Sequence, residues 1–262
     1  MNGITAWMEK YLVPVAAKIG SQKHLVALRD SFIGMLPATL AGALAAMISA
    51  IVTTFPSAIQ QMMLGATAFS KLAPEKVWTL ANTPIIGDLN NISALVNQGT
   101  LTVIGLIFAF SWGYNLARAY GVNDLAGGIV SVATLFAGLP NQMGKFTAAL
   151  GTGKAGVAAT DKLNGVLGDQ GLAAWKPLFA SAHLDAGAYF TVIIMGALAV
   201  IIYAKLMLAD ITIKMPESVP PAVAKAFLAI IPTIAALYIV GLIYYIIGKL
   251  TNDSVINLIT HY

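Results

Sequence analysis

His183 and Asp185 form a His-x-Asp pair that stands directly before a long apolar run. Such a pair could bind a polar substrate, because ionisable groups near membrane depth are often functional. A metal site would need further ligands, and no HExxH or similar spacing occurs in the sequence. The commoner role for a polar pair at the start of a span is a helix cap or an interface anchor. Both interpretations stay open on the sequence.

Asn141 and Gln142 follow Pro140 at the broken end of another apolar run. Their amides both donate and accept hydrogen bonds, which suits sugar hydroxyls. An interrupted membrane segment can also place polar backbone beside a substrate pathway. The alternative is a helix stop, in which the amides bond to the freed carbonyl groups. Asn90, Asn91 and Asn97 also cluster, and for these we predict turn formation.

No catalytic pattern accompanies these residues. The sequence has no GxSxG, Walker A or dinucleotide-binding pattern, and GTGKA at 151–155 lacks the Ser or Thr of a phosphate-binding loop. The 262 residues contain no cysteine, which excludes disulfides, cysteine metal ligands and a cysteine phospho-acceptor among them. We therefore expect no catalytic residue, no metal and no cofactor.

The composition predicts a membrane protein. Apolar residues make up 58% of the chain and charged residues 10%, and the mean hydropathy is +0.79. A soluble domain carries about 25% charged residues. The net charge of +4 comes from scattered basic residues. This scatter argues against a nucleic-acid face and suits lipid headgroups.

The apolar runs predict an all-α polytopic fold with about five transmembrane helices and interfacial amphipathic helices. Trp7, Tyr11, Val15 and Ile19 recur every four residues and predict an interfacial helix over 3–27. The charged residues and the many glycines over 144–184 predict a segment outside the membrane. The predicted spans are 32–55, 93–117, 124–139, 186–208 and 226–248.

Two stripes of small residues recur at four-residue spacing within these spans. Such stripes let helices approach closely, within one chain or between two copies. The spacing does not choose between these two uses. The stripes are Gly34, Ala38, Gly42 and Ala46, and Gly105, Ala109 and Gly113.

A polar, proline-rich segment, ITIKMPESVPPAVAKAF at 211–227, separates the last two predicted spans. Pro216, Pro220 and Pro221 prevent a continuous helix there. Glu217 and its charged neighbours would be costly in hydrocarbon. We therefore predict an amphipathic connector over 211–225 at a membrane surface.

Three segments carry a family resemblance: IKMPESVPPAVAKAF at 213–227, RDSFIGMLPATLAGALAAMI at 29–48 and DAGAYFTVIIMG at 185–196. They resemble the lactose/cellobiose (N,N'-diacetylchitobiose) branch of membrane sugar permeases, the IIC component of the bacterial phosphotransferase system. The resemblance implies a dimerising scaffold, here 1–210, then the connector, then a transport part of which 226–262 would be the beginning. No residue here takes the sugar-binding roles of that family's later His and carboxylate.

The resemblance also implies a function and a location. A β-linked disaccharide such as cellobiose would cross the bacterial cell membrane and be phosphorylated by a separate IIB protein, itself charged by IIA. The implied assembly is a homodimer. Loop lysines and arginines favour a cytoplasmic N-terminus, in agreement with the resemblance.

Two other functions are weighed against this permease. The chain could be a truncated or half-transporter scaffold that dimerises and needs a second chain for sugar binding. It could also be a membrane enzyme of another kind, which the missing catalytic motifs disfavour.

Overall fold

A computed structural model describes residues 7–73, 76–78, 84–139, 183–214, 216, 219–251 and 253–261, and these residues form helices and their connections without a strand. The predicted all-helical class is confirmed for this part of the chain. A π-helical turn, Met8–Leu12, leads into the first α-helix. The helices are α1 Val13–Gly20, α2 Lys23–Leu64, α3 Ala66–Phe69, α4 Pro84–Gln98, α5 Ile104–Tyr120, α6 Asp124–Ala137, α7 Ala186–Leu208, α8 Pro221–Leu228, α9 Ile230–Thr251 and α10 Val255–His261.

Four helical segments of the described chain are long and apolar enough to cross a membrane: Lys23–Leu64, Pro84–Tyr120, Ala186–Leu208 and Val223–Thr251. The remaining predicted span, 124–139, corresponds to α6, which is apolar but has 14 residues. At 1.5 Å per residue α6 is about 21 Å long, which is shorter than the hydrocarbon core.

The first span is longer than predicted. Helix α2 has 42 residues, so it includes residues 23–27, which were assigned to the interfacial helix, and continues past the predicted end at Phe55. The interfacial helix instead ends at Gly20, and Gln22 is extended, with a ψ of 131°. No glycine or proline lies between Lys23 and Phe32, so the helix continues through its charged residues.

The second span is interrupted where a continuous helix over 93–117 was predicted. Helix α4 ends at Gln98, and a 3-10 turn, Leu101–Val103, precedes α5. The turn packs on Gly42, since a Cβ at that glycine would lie 2.6 Å from the Leu101 Cγ. The prediction that Asn90, Asn91 and Asn97 form turns is wrong, because all three lie within α4.

The core lies between α5, α6 and α7. Its largest fully buried side chains include Phe108, Leu116, Val130 and Tyr203. Helix α9 packs against α6 and α7 and buries Ala236 and Val240. Helix α2, in contrast, exposes a row of large apolar side chains that includes Leu40, Leu44 and Met47.

The described residues of the connector before α8 lie outside any helix, and the Val219 N–H bonds to the Pro216 carbonyl at 3.1 Å in a turn. Pro221 occupies the first helical position, where its missing N–H costs no hydrogen bond. The predicted last span, 226–248, lies within the candidate span Val223–Thr251, but a break at Ala229 separates α8 from α9 inside it. Pro216 and Pro220 are described, whereas Glu217 lies outside the described residues.

Candidate functional site

His183 connects the start of α7 with the last helix. Its side chain is buried, and its Nε2 lies 3.1 Å from the Asn257 Oδ1 of α10. The Asn257 amide nitrogen donates to the Asp253 carboxylate at 2.8 Å. A buried polar side chain is costly unless it is hydrogen-bonded. The contact therefore satisfies His183 and holds α10 against the start of α7.

Asp185 has a different role from its neighbour. Its carboxylate accepts a hydrogen bond from the Gly187 backbone N–H at 2.8 Å and caps the first turn of α7. The adjoining Leu184 carbonyl accepts from the Gly105 N–H at 2.7 Å. In the structure, His183 and Asp185 thus make separate contacts. Among the described residues, no group of three or more His, Cys, Asp or Glu side chains could hold a metal ion.

Asn141 and Gln142 lie outside the described residues, which resume at His183. The chain just before them is described, and there the ring of Tyr244 from α9 covers Gly138. The C-terminal end of α6 is therefore in contact with the helix that follows the connector.

A polar cleft of about 390 Å³ opens between α2 and α4. The hydroxyl of Ser49, which lines the cleft, donates to the Asn90 side-chain oxygen of α4. The Thr102 hydroxyl donates to the Asn97 side-chain oxygen at 3.3 Å. The cleft can therefore offer several hydrogen-bonding groups within two of the candidate membrane spans, Lys23–Leu64 and Pro84–Tyr120. Its polar lining is Ser49, Thr53, Ser93, Asn97, Gln98 and Thr102.

This cleft was not predicted, although the spacing of its polar residues contained a signal. Asn90 and Asn97 are seven residues apart, and Ser93 and Asn97 are four apart, so they share one face of a helix. Ser49 and Thr53 are also four residues apart. Assigning the asparagines to a turn removed the helical periodicity that would have aligned them.

A second polar contact joins α2 to α5. The Ser31 and Ser111 hydroxyls each donate to the other residue's backbone carbonyl at 3.1 Å. The Asn115 amide donates to the Ser111 carbonyl at 2.8 Å. Side-chain hydrogen bonds of this kind between membrane helices are worth about 0.6 kcal/mol on average. They fix how α2 packs on the core, and Ser31 lies inside α2 rather than at its start.

The small residues of the second stripe lie against other helices of the same chain. A Cβ at Gly105 would lie 2.8 Å from the Leu184 carbonyl oxygen, and one at Gly113 would lie 2.5 Å from the Ser131 Cβ. Ala109 is fully buried. In the first stripe Gly42 is buried, Ala38 and Ala46 are half-buried, and a Cβ at Gly34 would lie 3.3 Å from the Ser111 Oγ.

The start of the connector carries an exposed ion pair between Asp210 and Lys214, at 2.5 Å. The hydrogen bond and the charge of Lys214 lower the pKa of the Asp210 carboxyl below its ordinary value. Asp210 itself has a φ of +57°, in the left-handed region. The Ile211 N–H bonds back to the Leu206 carbonyl at 3.1 Å, so α7 ends in a Schellman motif.

Residues 29–262 match the protein family described as Phosphotransferase system, EIIC. The chain is 26% identical over 260 residues to the lichenan permease IIC component of Bacillus subtilis (strain 168), covering 99% of this chain and 49% of that protein. It is 26% identical over 260 residues to the PTS system cellobiose-specific EIIC component of Geobacillus stearothermophilus, again covering 99% and 49%. It is 25% identical over 256 residues to the PTS system oligo-beta-mannoside-specific EIIC component of Bacillus subtilis (strain 168), covering 97% and 47%.

The fold is similar to that in the crystal structure of the transporter ChbC, the IIC component from the N,N'-diacetylchitobiose-specific phosphotransferase system. The TM-score is 0.67 at 24% sequence identity, and the match covers 97% of this chain and 49% of that one. The chain thus spans about half the length of the curated relatives it matches.

Proposed function

This chain belongs to the phosphotransferase system EIIC family, and from that membership we propose that it acts in the uptake of a β-linked disaccharide such as cellobiose. The observation that carries the proposal is the family match, which runs from the N-terminal part of α2 through the connector to residue 262. Two relatives are named for cellobiose and for oligo-β-mannosides, both β-linked sugars. They support the proposed class of substrate.

The proposed partners follow from the same membership. A permease component of this system would pass its sugar to a IIB protein, charged in turn by IIA, on the cytoplasmic side. The chain is a multi-pass membrane protein, and we place it in the bacterial cell membrane with a cytoplasmic N-terminus. Lys18, Lys23 and Arg29 near the start of the chain support this orientation.

We propose that residues 1–210 form a scaffold that pairs with a second copy. Much of both small-residue stripes is already in contact within the chain, so pairing would use the apolar face of α2 instead. Leu40 and Leu44 on that face are 62% and 56% exposed. Cross-linking through a single cysteine at Leu44 would test this, and the cysteine-free sequence provides a clean background. Cross-linking no stronger than at Phe190 of α7, which is also exposed, would count against it.

The second candidate function is a dimerising scaffold that acts with another chain for sugar binding. The observation that favours it is that the side chains of His183 and Asp185 make separate contacts. One side chain is engaged with Asn257 and the other caps a helix, so they do not form a common sugar site.

An uptake assay separates the two functions. Cells lacking their own cellobiose permease would express this chain together with IIA and IIB proteins, and accumulation of labelled cellobiose phosphate would be measured. The permease proposal predicts accumulation that depends on IIB. Membrane-inserted, folded protein without uptake would refute autonomous transport and favour the scaffold.

A further inference from the structure

Three of the candidate membrane spans terminate around one cavity. The spans Pro84–Tyr120 and Ala186–Leu208 end there, and Val223–Thr251 begins there. The cavity has a volume of about 490 Å³, and its walls include Val122, Asn123, Asp124, Leu208, Lys225 and Leu228. Because span ends meet the headgroup layer, the cavity lies at the boundary between hydrocarbon and water.

The cavity is built by two sharply terminated helices and the connector helix. Gly121 has a φ of +74°, and the Val122 N–H bonds back to the Ala117 carbonyl at 3.1 Å, so α5 ends in the same Schellman motif as α7. Helix α8 lies across the gap, and the Asn123 amide donates to the Lys225 backbone carbonyl at 3.5 Å. The Tyr203 hydroxyl donates to the Asn123 carbonyl at 3.4 Å.

The polar lining consists of one acid, one base and one amide. The Asp124 carboxylate accepts from the Leu125 N–H at 2.9 Å and interacts with the Tyr114 hydroxyl. Its two oxygens retain capacity for further donors. Lys225 is exposed. Within the described residues, neither Asp124 nor Lys225 forms an ion pair with another side chain.

We propose that this cavity binds the zwitterionic headgroup of a phosphatidylethanolamine-type lipid. Lys225 and the second N–H of the Asn123 amide would bind the phosphate, and Asp124 would accept from the primary ammonium. Met207, Leu208 and Leu228 supply an apolar wall for the start of the acyl chains. The argument is charge complementarity, because a purely anionic lipid leaves Asp124 unmatched and a quaternary ammonium cannot donate to it.

Such a lipid would bridge the α5–α6 turn and the connector helix. Between the described residues of these two elements, a long hydrogen bond runs from the Asn123 amide to the Lys225 carbonyl, at 3.5 Å. A bound headgroup would add contacts to both and hold α8 against the scaffold. The proposal is independent of sugar transport, so its failure would leave the proposed function untouched.

The test compares lipids that share acyl chains and differ in headgroup. Delipidated protein in detergent is titrated with phosphatidylethanolamine, its N-methylated series up to phosphatidylcholine, and phosphatidylglycerol, while Tm is followed. We expect phosphatidylethanolamine to raise Tm most. Lys225→Gln should weaken its apparent affinity about tenfold, as loss of a hydrogen bond to a charged group does. Asp124→Asn should abolish the preference over phosphatidylcholine.

Lys249→Gln and Asp88→Asn are the matched controls, since both remove the same charges at exposed positions outside the cavity lining. They should leave the titration unchanged. Equal stabilisation by phosphatidylethanolamine and phosphatidylcholine would overturn the proposal, as would a titration that Lys225→Gln does not alter. Glycerophosphoethanolamine has the same headgroup without acyl chains. If it raised Tm as much as phosphatidylethanolamine does, the ligand would be a soluble molecule and the lipid proposal would be wrong. If the Asp124→Asn variant does not fold, the lipid titration of Lys225→Gln alone tests the proposal.

Discussion

The aromatic ring of Tyr244 lies directly against Gly138, so that a Cβ at residue 138 would sit 2.5 Å from the Tyr244 Cζ and 2.7 Å from its hydroxyl oxygen. This contact joins the end of α6 to α9, the helix that follows the connector. We expect Gly138→Ala to destabilise the protein by about 1–3 kcal/mol, because an added methyl group forces the ring to move. Thermal unfolding in detergent measures the effect.

Gly241→Ala is the matched control for that substitution. Gly241 lies in α9, and a Cβ there would meet nothing within 4 Å. The change should be neutral or stabilising by up to about 1 kcal/mol, since alanine favours a helix. In a Tyr244→Ala background, Gly138→Ala should cost less than it does in the wild type, because the ring that its methyl group would meet is gone. If Gly138→Ala unfolds at the same temperature as Gly241→Ala, the contact does not constrain the two helices.

Gly113 should tolerate no side chain at all. Its added Cβ would collide with the backbone carbonyl of Gly127, which cannot rotate away, and with the Ser131 Cβ at 2.5 Å. Gly113→Ala should therefore separate α5 from α6 and lower Tm strongly. Gly42→Ala should cost less, because the Thr100 and Leu101 side chains that it meets can shift, whereas Gly42→Leu should disrupt the packing of α2. Equal Tm values for Gly113→Ala and wild type would contradict this prediction.

The contact between His183 and Asn257 should couple the two side chains energetically. We expect a double-mutant cycle with His183→Ala and Asn257→Ala to give a coupling of about 0.5–1.5 kcal/mol, the net worth of a typical hydrogen bond. Chemical denaturation of the four proteins measures it. A coupling of zero would mean that α10 is held to α7 by its apolar contacts alone.

The prolines of the connector should determine where α8 begins. Replacing Pro220 and Pro221 by alanine restores two N–H groups and lets the helix extend toward Val219. We expect higher helicity by circular dichroism and, if the connector acts as a hinge, reduced sugar uptake. Normal uptake together with the added helicity would indicate that the connector is only a tether.

Acid should weaken the start of the connector. Lys214 lowers the pKa of Asp210, so the stabilisation from the ion pair is present above the ordinary Asp value of 3.8 and is lost as the pH falls through the lower folded value. The protection factors of the amides at 211–214, taken relative to the intrinsic exchange rate at each pH, should therefore be constant near neutrality and fall only below pH 3.8, as Asp210 becomes protonated. Asp210→Asn and Lys214→Gln should each accelerate exchange at neutral pH. If Asp210→Asn accelerates exchange and Lys214→Gln does not, the effect would come from the left-handed backbone at residue 210 and not from the ion pair.

The sequence predicted the positions of the helices better than their ends. Uncharged apolar runs located the spans, because a segment buried in lipid must be apolar. Charged residues do not mark the end of a helix, because a helix can continue out of the lipid into water. Arg29 and Asp30, which lie within α2, are an example. The turn before α5 packs against Gly42, which lies far away in the chain. The partner of His183 is 74 residues away, so no local pattern could identify it.

The length of α2 affects how the protein can be accommodated in different membranes. At 1.5 Å per residue its 42 residues extend about 63 Å, roughly twice the hydrocarbon thickness. Even a steep tilt leaves part of the helix outside, and Met62, 87% exposed, lies near that end. Since α2 carries no charged residue after Asp30, a thicker bilayer can cover more of the helix without burying a charge. Hydrophobic mismatch should therefore cost this helix little across membranes of different thickness.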